Sequence, residues 1–399
     1  MTVRIVNVIT RMIVGGPQQV SLLTARYYQG SPAVDYHLVF GRESGSEGDY
    51  HAEIAASGVP HHAQASLVRE LAPARDLRAL GGLMALLRRL RPDVVHARSA
   101  KARFLAPLAS RLARVPVTVQ TVHGWSFNNA VDRRRPLFVR LERLARRLCD
   151  ATVLVSRQDL AEGIALGVLP TTAVARGEAL VIRSGVDLGA VTALDDAARR
   201  ALRAGEGVPD GRPVVSLVQR LSPPKTPLVF VSALSRILVE RPDAVAWIVG
   251  DGPLRPAVEA AVAEAGVGAR VRFLGVRKDV AAVLSASDVL VHSSGREGLP
   301  RVVLEALAIG TPVVATAVGG VPDAVADGVT GRLVRPEDPG ALAGAVLATL
   351  ADPAGAARQA QAGRTAVRAF SARQMLDEQH ALYQRLLARR GIALAAQPA

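Results

Sequence analysis

Cysteine is nearly absent: Cys149 is alone among 399 residues. One thiol excludes an intrachain disulfide and leaves nothing for a cysteine-built metal site. Cys149 is expected to pack as a small apolar residue. Aromatic residues make up only 4% of the chain, and no stacking pattern or recognised nucleic-acid module accompanies its positive charge, so nucleic acid is not an expected partner. No run of about 18 apolar residues occurs, so no segment reads as a membrane span. The amino terminus has no basic region followed by a long apolar stretch. Val3-Arg4-Ile5-Val6-Asn7-Val8-Ile9 reads instead as a first β-strand, which argues against a signal peptide and for a cytoplasmic location. Negative charge is also the minority: 35 acidic residues stand against 49 basic ones, a net +14. The imbalance is concentrated in residues 1–189, with 25 basic and 15 acidic residues. It points to an anionic partner such as a phospholipid or a phosphorylated substrate.

The apolar share of 49% and charged share of 21% are those of a globular chain, and the length suffices for two domains. The stretch that organises the rest is Arg296-Glu297-Gly298-Leu299-Pro300-Arg301-Val302-Val303-Leu304-Glu305, in which seven residues separate two glutamates. The apolar run after Pro300 predicts a helix starting there, where proline's missing N–H is harmless. Glu297 then lies in the preceding loop and Glu305 more than a turn inside the helix. Between them the free N–H groups of the first turn and the positive end of the helix dipole suit an anion such as a diphosphate. The flanking carboxylates can accept hydrogen bonds from sugar or ribose hydroxyls. Val289–Ser294 upstream and Val313–Thr316 downstream read as strands, which places the pair at a strand-to-helix junction, where open α/β sheets bind ligands.

Strand and helix alternate through both halves. Tyr36–Phe40, Pro92–His96, Val117–Thr121, Ala151–Ser156 and Ala179–Arg183 read as strands of the first half, and Asp187–Pro213 as the connection with one short helix. Pro213–Val218, Val245–Val249 and Val271–Leu274 restart the alternation. Gly15-Gly16 after the first strand is either an ordinary turn or a close approach to a phosphate. His123 closes a strand before Gly124, on the edge where ligands sit, or is a histidine satisfied by backbone. Arg220 and Lys225 flank a proline-stiffened turn and could clamp two phosphates, arginine as a fork and lysine as a point charge. The segment 132–147 interleaves Arg133, Arg134, Arg135, Arg140, Arg143, Arg146 and Arg147 with leucines. This basic amphipathic helix is either a solvated face or a surface for anionic lipid headgroups. A closing helix is expected over Phe370–Arg390.

In order along the second half, Arg220 with Lys225, Gly250-Asp251-Gly252-Pro253, Phe273-Leu274-Gly275, Glu297 through Glu305, and Gly319-Gly320-Val321-Pro322-Asp323 resemble the retaining glycosyltransferases of the GT-B fold, specifically glycosyltransferase family 4. Gly15-Gly16 and Thr121-Val122-His123-Gly124 are similar to that family's glycine loop and active-site histidine. Val95-His96-Ala97-Arg98-Ser99-Ala100-Lys101 looks like the variant found in enzymes of surface-polysaccharide assembly. One departure is Ser184, where the family commonly has asparagine.

The resemblance implies an α/β chain of two Rossmann-like, doubly wound parallel-sheet domains facing across a cleft. Residues 1–188 would bind the acceptor, 189–369 the nucleotide-sugar donor, and 370–399 would form a helix packing back toward the first domain. Carried over position by position, Arg220 and Lys225 would hold the diphosphate, Glu305 the ribose and Glu297 the sugar. The backbone of Gly298, Leu299 and Pro300 would approach the sugar, with Gly15 and Gly16 near the phosphates. Val276 and Arg277 would flank the base, with Gly250, Asp251 and Gly252 nearby, and His123 would face the anomeric carbon. Arg98, Lys101, Arg133, Arg134, Arg135 and Arg140 are candidates for an acceptor or membrane surface. No Asp-x-Asp motif occurs, in keeping with a metal-independent reaction without a cofactor. The implied function is retaining transfer of a sugar from a UDP- or GDP-sugar to a glycan or lipid-diphosphate-linked acceptor, as in exopolysaccharide or cell-wall assembly. The enzyme would be peripheral at the inner face of the plasma membrane. A GT-B nucleotide-sugar epimerase, or a glycosyltransferase acting on a soluble natural-product aglycone, is the alternative.

Overall fold

The computed structural model describes residues 2–45, 48–129 and 134–396. The chain forms two compact units, Met1–Ser184 with Arg373–Ala399, and Gly185–Ala372.

The first unit is built on seven parallel strands: β1 (Val3–Arg11), β2 (Val34–Gly41), β3 (His61–Ala63), β4 (Val94–Arg98), β5 (Val117–Val122), β6 (Ala151–Leu154) and β7 (Ala179–Val181). Their order is β3-β2-β1-β4-β5-β6-β7. Every residue of β4 and β5 is buried, as expected of strands covered on both faces. Its helices include α1 (Gly16–Tyr28), α2 (His51–Ala56), α3 (Pro73–Leu90), α4 (Ala100–Ala113) and α5 (Arg135–Arg147). Val20, Leu22 and Tyr28 of α1 share a core with Met375, Leu382, Tyr383 and Leu386 of the C-terminal helix Ala372–Ala388. Leu83, Leu86 and Leu87 of α3 and Ala102, Ala106 and Ala109 of α4 fill a second core.

The second unit repeats the plan with six parallel strands: β8 (Val214–Val218), β9 (Val245–Val249), β10 (Val271–Gly275), β11 (Val289–His292), β12 (Val313–Thr316) and β13 (Arg332–Val334), in the order β10-β9-β8-β11-β12-β13. The helix Arg301–Ile309 buries Val303, Leu304, Ala306, Leu307 and Ile309. At about 1.5–3 kcal/mol per buried aliphatic side chain, that face anchors it firmly to the sheet. Gly310, at φ 87°, ends it in the left-handed conformation that glycine tolerates.

In each sheet the order reverses between the first strand and its neighbour: β1 beside β4, and β8 beside β11. Carboxyl ends of strands at such a reversal are where open α/β sheets hold ligands. In the first unit Thr10 and Ser99 join the two ends, with hydroxyls 2.7 Å apart. Among the described residues no single helix is long and apolar enough to cross a membrane.

Candidate active site

At the reversal of the second sheet, the loops leaving β8 and β11 pair with each other. Lys225 and Ser294 form an antiparallel bridge, and Gly295 N–H donates to the Pro224 carbonyl at 3.1 Å. This pairing carries Lys225 to Glu297 although 72 residues separate them. Lys225 Nζ donates to Glu297 Oε1, and His292 at the end of β11 lies 2.8 Å from the same oxygen. Burial would push the Glu297 carboxyl up, but the Lys225 ammonium and His292 outweigh it and hold the group well below the usual carboxylate range. Glu297 is a fixed anion.

The helix that follows begins at Arg301, with Pro300 as its N-cap, and Val303 N–H makes the first intrahelical bond, to the Pro300 carbonyl at 3.2 Å. The amides of Arg301 and Val302 precede that bond and belong to the orphan donors of a helix start. Arg301 Nη2 bonds Glu305 Oε1 one turn on. Neither Arg301 nor His292 is among the candidates read from the sequence. Arg301 could have been found from its i,i+4 spacing to Glu305, whereas nothing in the pattern of a buried strand singles out His292.

The glycines around these side chains have packing reasons. Gly319, at φ 57°, lies so close to Glu297 that a Cβ there would fall 1.9 Å from its carbonyl oxygen. Gly320 N–H donates to the Gly298 carbonyl at 2.5 Å. Gly250 and Gly252 sit against the Gln219 and Leu221 carbonyls, at 2.1 and 2.4 Å from an added Cβ, so that the loops after β8 and β9 can interlock. Asp251 accepts from its neighbour Gly252 N–H at 2.6 Å and pairs with Arg255 at 3.2 Å. Arg220 is half-buried in the β8 loop, and Leu299 is buried. Val276 is exposed, while Arg277 is engaged by Glu206 at 2.8 Å and Asp279 at 2.6 Å.

In the first unit, Gly15 is the N-cap of α1, and Gly16, its first residue, faces open space. His123 follows β5. Burial, then the charges of Arg98 and Arg103, keep its imidazole well below the ordinary value, so the ring is neutral. Its Nε2 is shielded and has no hydrogen-bond partner among the described residues.

Two candidates for an acceptor or membrane surface are corrected. Arg98 is buried, its guanidinium donating to Gln379 of the C-terminal helix and Thr24 of α1. It closes a strand whose five residues are all buried, so it faces the interior. Lys101 is held by Asp76 at 2.6 Å and by the Glu70 carbonyl, with its side chain 8% exposed, and ties α4 to α3. Arg134, Arg135 and Arg140 are exposed, and Arg135 lies 3.5 Å from Glu162. Arg133 lies outside the described residues.

Residues 14–190 match the profile of Glycosyltransferase Family 4, and residues 198–366 that of Glycosyl transferases group 1. The UDP-Gal:alpha-D-GlcNAc-diphosphoundecaprenol alpha-1,3-galactosyltransferase of Escherichia coli is 30% identical over 329 residues, 80% of either chain. The chain belongs to glycosyltransferase family 4. This glycosyltransferase, which works on a nucleotide-sugar, is also 35% identical over 268 residues to the 2-deoxystreptamine glucosyltransferase of Streptomyces kanamyceticus, covering 65% of this chain and 67% of that one. The crystal structure of Anabaena HepE in complex with UDP and glucose superposes with TM-score 0.81 at 22% identity, covering 95% of this chain and 99% of that one. Sucrose-phosphate synthase from Thermosynechococcus elongatus superposes with TM-score 0.78 at 22% identity over 97% and 100%. Both likenesses are of fold, and the glycosyltransferase has the GT-B fold of two parallel-sheet α/β domains.

Proposed function

We propose that this glycosyltransferase is a retaining, metal-independent enzyme that moves a hexose from a UDP- or GDP-sugar to a hydroxyl of a lipid-diphosphate-linked saccharide in surface-polysaccharide or cell-wall assembly. The observation that carries the donor half is the convergence of Lys225, Glu297 and the start of the helix Arg301–Ile309 at the strand reversal of the second unit.

Breaking the bond between the anomeric carbon and the diphosphate oxygen leaves negative charge on the diphosphate. The Arg220 and Lys225 cations and the orphan amides of the helix start stabilise that growing charge more than they stabilise the bound donor, which is what accelerates a step. They supply the charge a divalent metal would otherwise bring. The acceptor oxygen bonds to the anomeric carbon on the face the phosphate leaves, and the acceptor's proton passes to the departing phosphate oxygen. Glu297 takes no covalent part. Its charge is neutralised by Lys225, its Oε1 also accepts a hydrogen bond from His292, and its basicity is low, so it is a poor nucleophile but can still accept from a sugar hydroxyl. Glu305 is assigned to the ribose.

The E. coli relative, whose name specifies a diphosphoundecaprenol-linked acceptor, supports the lipid-linked reading. The exposed surface of the first unit supports it independently. Helix α4 packs against both α3 and α5. The acidic residues of these three helices, Asp76 and Glu142, are each neutralised from within, by Lys101 and Arg103. The exposed side chains of these helices include Arg75, Arg78, Arg88, Arg89, Arg111, Arg140, Arg143 and Arg147 beside exposed Leu77, Leu112, Leu137 and Leu144, a composition that suits an anionic lipid surface. The Streptomyces relative favours a second reading, a soluble aglycone acceptor.

The test is a panel of UDP- and GDP-sugars with purified protein, scored by thermal shift and donor hydrolysis with and without EDTA, followed by NMR of the product anomer. The reading expects one nucleotide series to stabilise the protein, turnover to survive EDTA, and the product to keep the donor's anomeric configuration. An inverted anomer or EDTA-sensitive turnover would refute the mechanism.

A further inference from the structure

His292 closes β11 with its side chain fully buried. Its Nε2 lies 2.8 Å from Glu297 Oε1. An ionised carboxylate can only accept, so the proton between them sits on Nε2. The other ring nitrogen, Nδ1, is buried with no hydrogen-bond partner among the described residues. It is the unprotonated nitrogen of a neutral ring, in line with burial lowering the imidazole's proton affinity against the pull of Glu297. The oxygen that accepts from His292 also accepts from Lys225.

Two donors on Oε1 have different mechanical value. Lys225 ends a flexible four-carbon stem, so its bond alone would let the carboxylate swing with it. The imidazole is rigid, sits on a strand in the middle of the sheet, and has its ring packed on all sides. It defines where Oε1 must be. With Oε1 occupied twice, the lone pairs of Oε2 are the capacity left for a ligand.

We propose that His292 is a positioning residue for Glu297: by donating to Oε1 it fixes the carboxylate so that Oε2 receives a hydroxyl of the donor's sugar. The proposal rests on the donor-site reading above. It makes His292 a determinant of affinity for the sugar portion of the donor and leaves the nucleoside diphosphate indifferent to it.

The experiment compares the full chain with His292→Leu, which fills the space without a donor, and His292→Gln, whose amide N–H reaches the Nε2 position. His292→Asn, whose amide stops short, is a second loss-of-donor variant should leucine compromise folding. Calorimetric Kd values are measured for UDP and UDP-glucose, and for GDP and GDP-mannose. For whichever pair binds the wild type, His292→Leu and His292→Asn are expected to weaken the nucleotide-sugar about 10-fold, the scale of one charge-assisted hydrogen bond. The free diphosphate stays within about twofold, and His292→Gln recovers most of the loss. Equal weakening of both ligands, or a glutamine variant no better than leucine, would mean that His292 only fills space and would overturn the proposal. Leucine and asparagine variants with wild-type discrimination would overturn it as well, leaving the donor site intact. A wild type that binds neither diphosphate nor nucleotide-sugar would remove the donor-site reading and this proposal together.

Discussion

At the scale of single residues, Lys225 and Glu297 depend on each other. Glu297 is almost wholly buried, with its side chain 9% exposed, and Lys225 Nζ is one of the two donors on its Oε1. Removing one partner of such a pair leaves an uncompensated charge in a poor dielectric. Lys225→Ala is therefore expected to lower turnover about 10²–10³-fold, the usual effect of deleting one fixed electrostatic group at a developing charge, and to lower the melting temperature too. Arg220→Ala should show a kinetic loss of the same order, because it too removes a fixed cation from the developing charge on the diphosphate. Steady-state kinetics beside calorimetry decide both, and near-wild-type turnover in either variant refutes the assignment. Gly319→Ala is a test of a different kind. The residue has a positive φ, and its new Cβ would fall 1.9 Å from the Glu297 carbonyl oxygen. Strain at such a position is on the order of 1–3 kcal/mol before any clash, so the variant should melt lower and lose nucleotide-sugar affinity in step.

At the scale of elements, the valine-rich strands announce themselves because both faces of a parallel sheet are covered, and runs such as Val214–Val218 and Val245–Val249 need no alternation. The junction at Glu297 was legible for a related reason, as proline and glycine punctuate a strand-to-helix turn. β3 was not legible. It is three residues of His-His-Ala with partly exposed side chains, and it exists only because β2 offers it an edge. The burial of Arg98 was also beyond reach, since its partner Gln379 is 281 residues away on a helix whose docking no local pattern reveals. α5 is the reverse case, an amphipathic pattern visible in the sequence, whose exposed residues include Leu137, Arg140, Leu144 and Arg147, with exposed Arg134 as its N-cap. If these residues meet anionic lipid, each arginine contributes about 1 kcal/mol. Replacing Arg134, Arg140 and Arg147 together by glutamine should weaken binding to phosphatidylglycerol vesicles roughly 100-fold and leave donor hydrolysis unchanged. Equal sedimentation of wild type and triple variant with those vesicles would remove the membrane role.

At the scale of the whole molecule, titration behaves differently in the two units. Five of the eight histidines, His62, His96, His123, His292 and His380, are held below their ordinary value, in each case first by burial. The unfolded chain binds protons at these sites below about pH 6.5, whereas the folded chain resists them. Stability therefore rises with pH across this range: the contribution of each group is present above about pH 6.5 and is lost as pH falls toward the lowered value. Four of the five lie in the first unit and only His292 in the second. A fully buried neutral histidine contributes up to about 1.4 kcal/mol per pH unit over that interval, against a domain stability of about 5–15 kcal/mol. The first unit should thus be the acid-sensitive one. Two cooperative units need not melt together, and scanning calorimetry at pH 7.5, 6.5 and 5.5 should show two transitions drawing apart as the lower one falls. A nucleoside diphosphate that binds the second unit raises only the transition belonging to that unit, which labels it without mutation. The expected result is that the ligand-raised transition barely moves with acid while the other drops. If the ligand-responsive transition were the acid-sensitive one, either the donor site or the assignment of the neutral buried histidines to the first unit's stability would be wrong. His96→Gln separates these outcomes by flattening the pH dependence of the first unit alone.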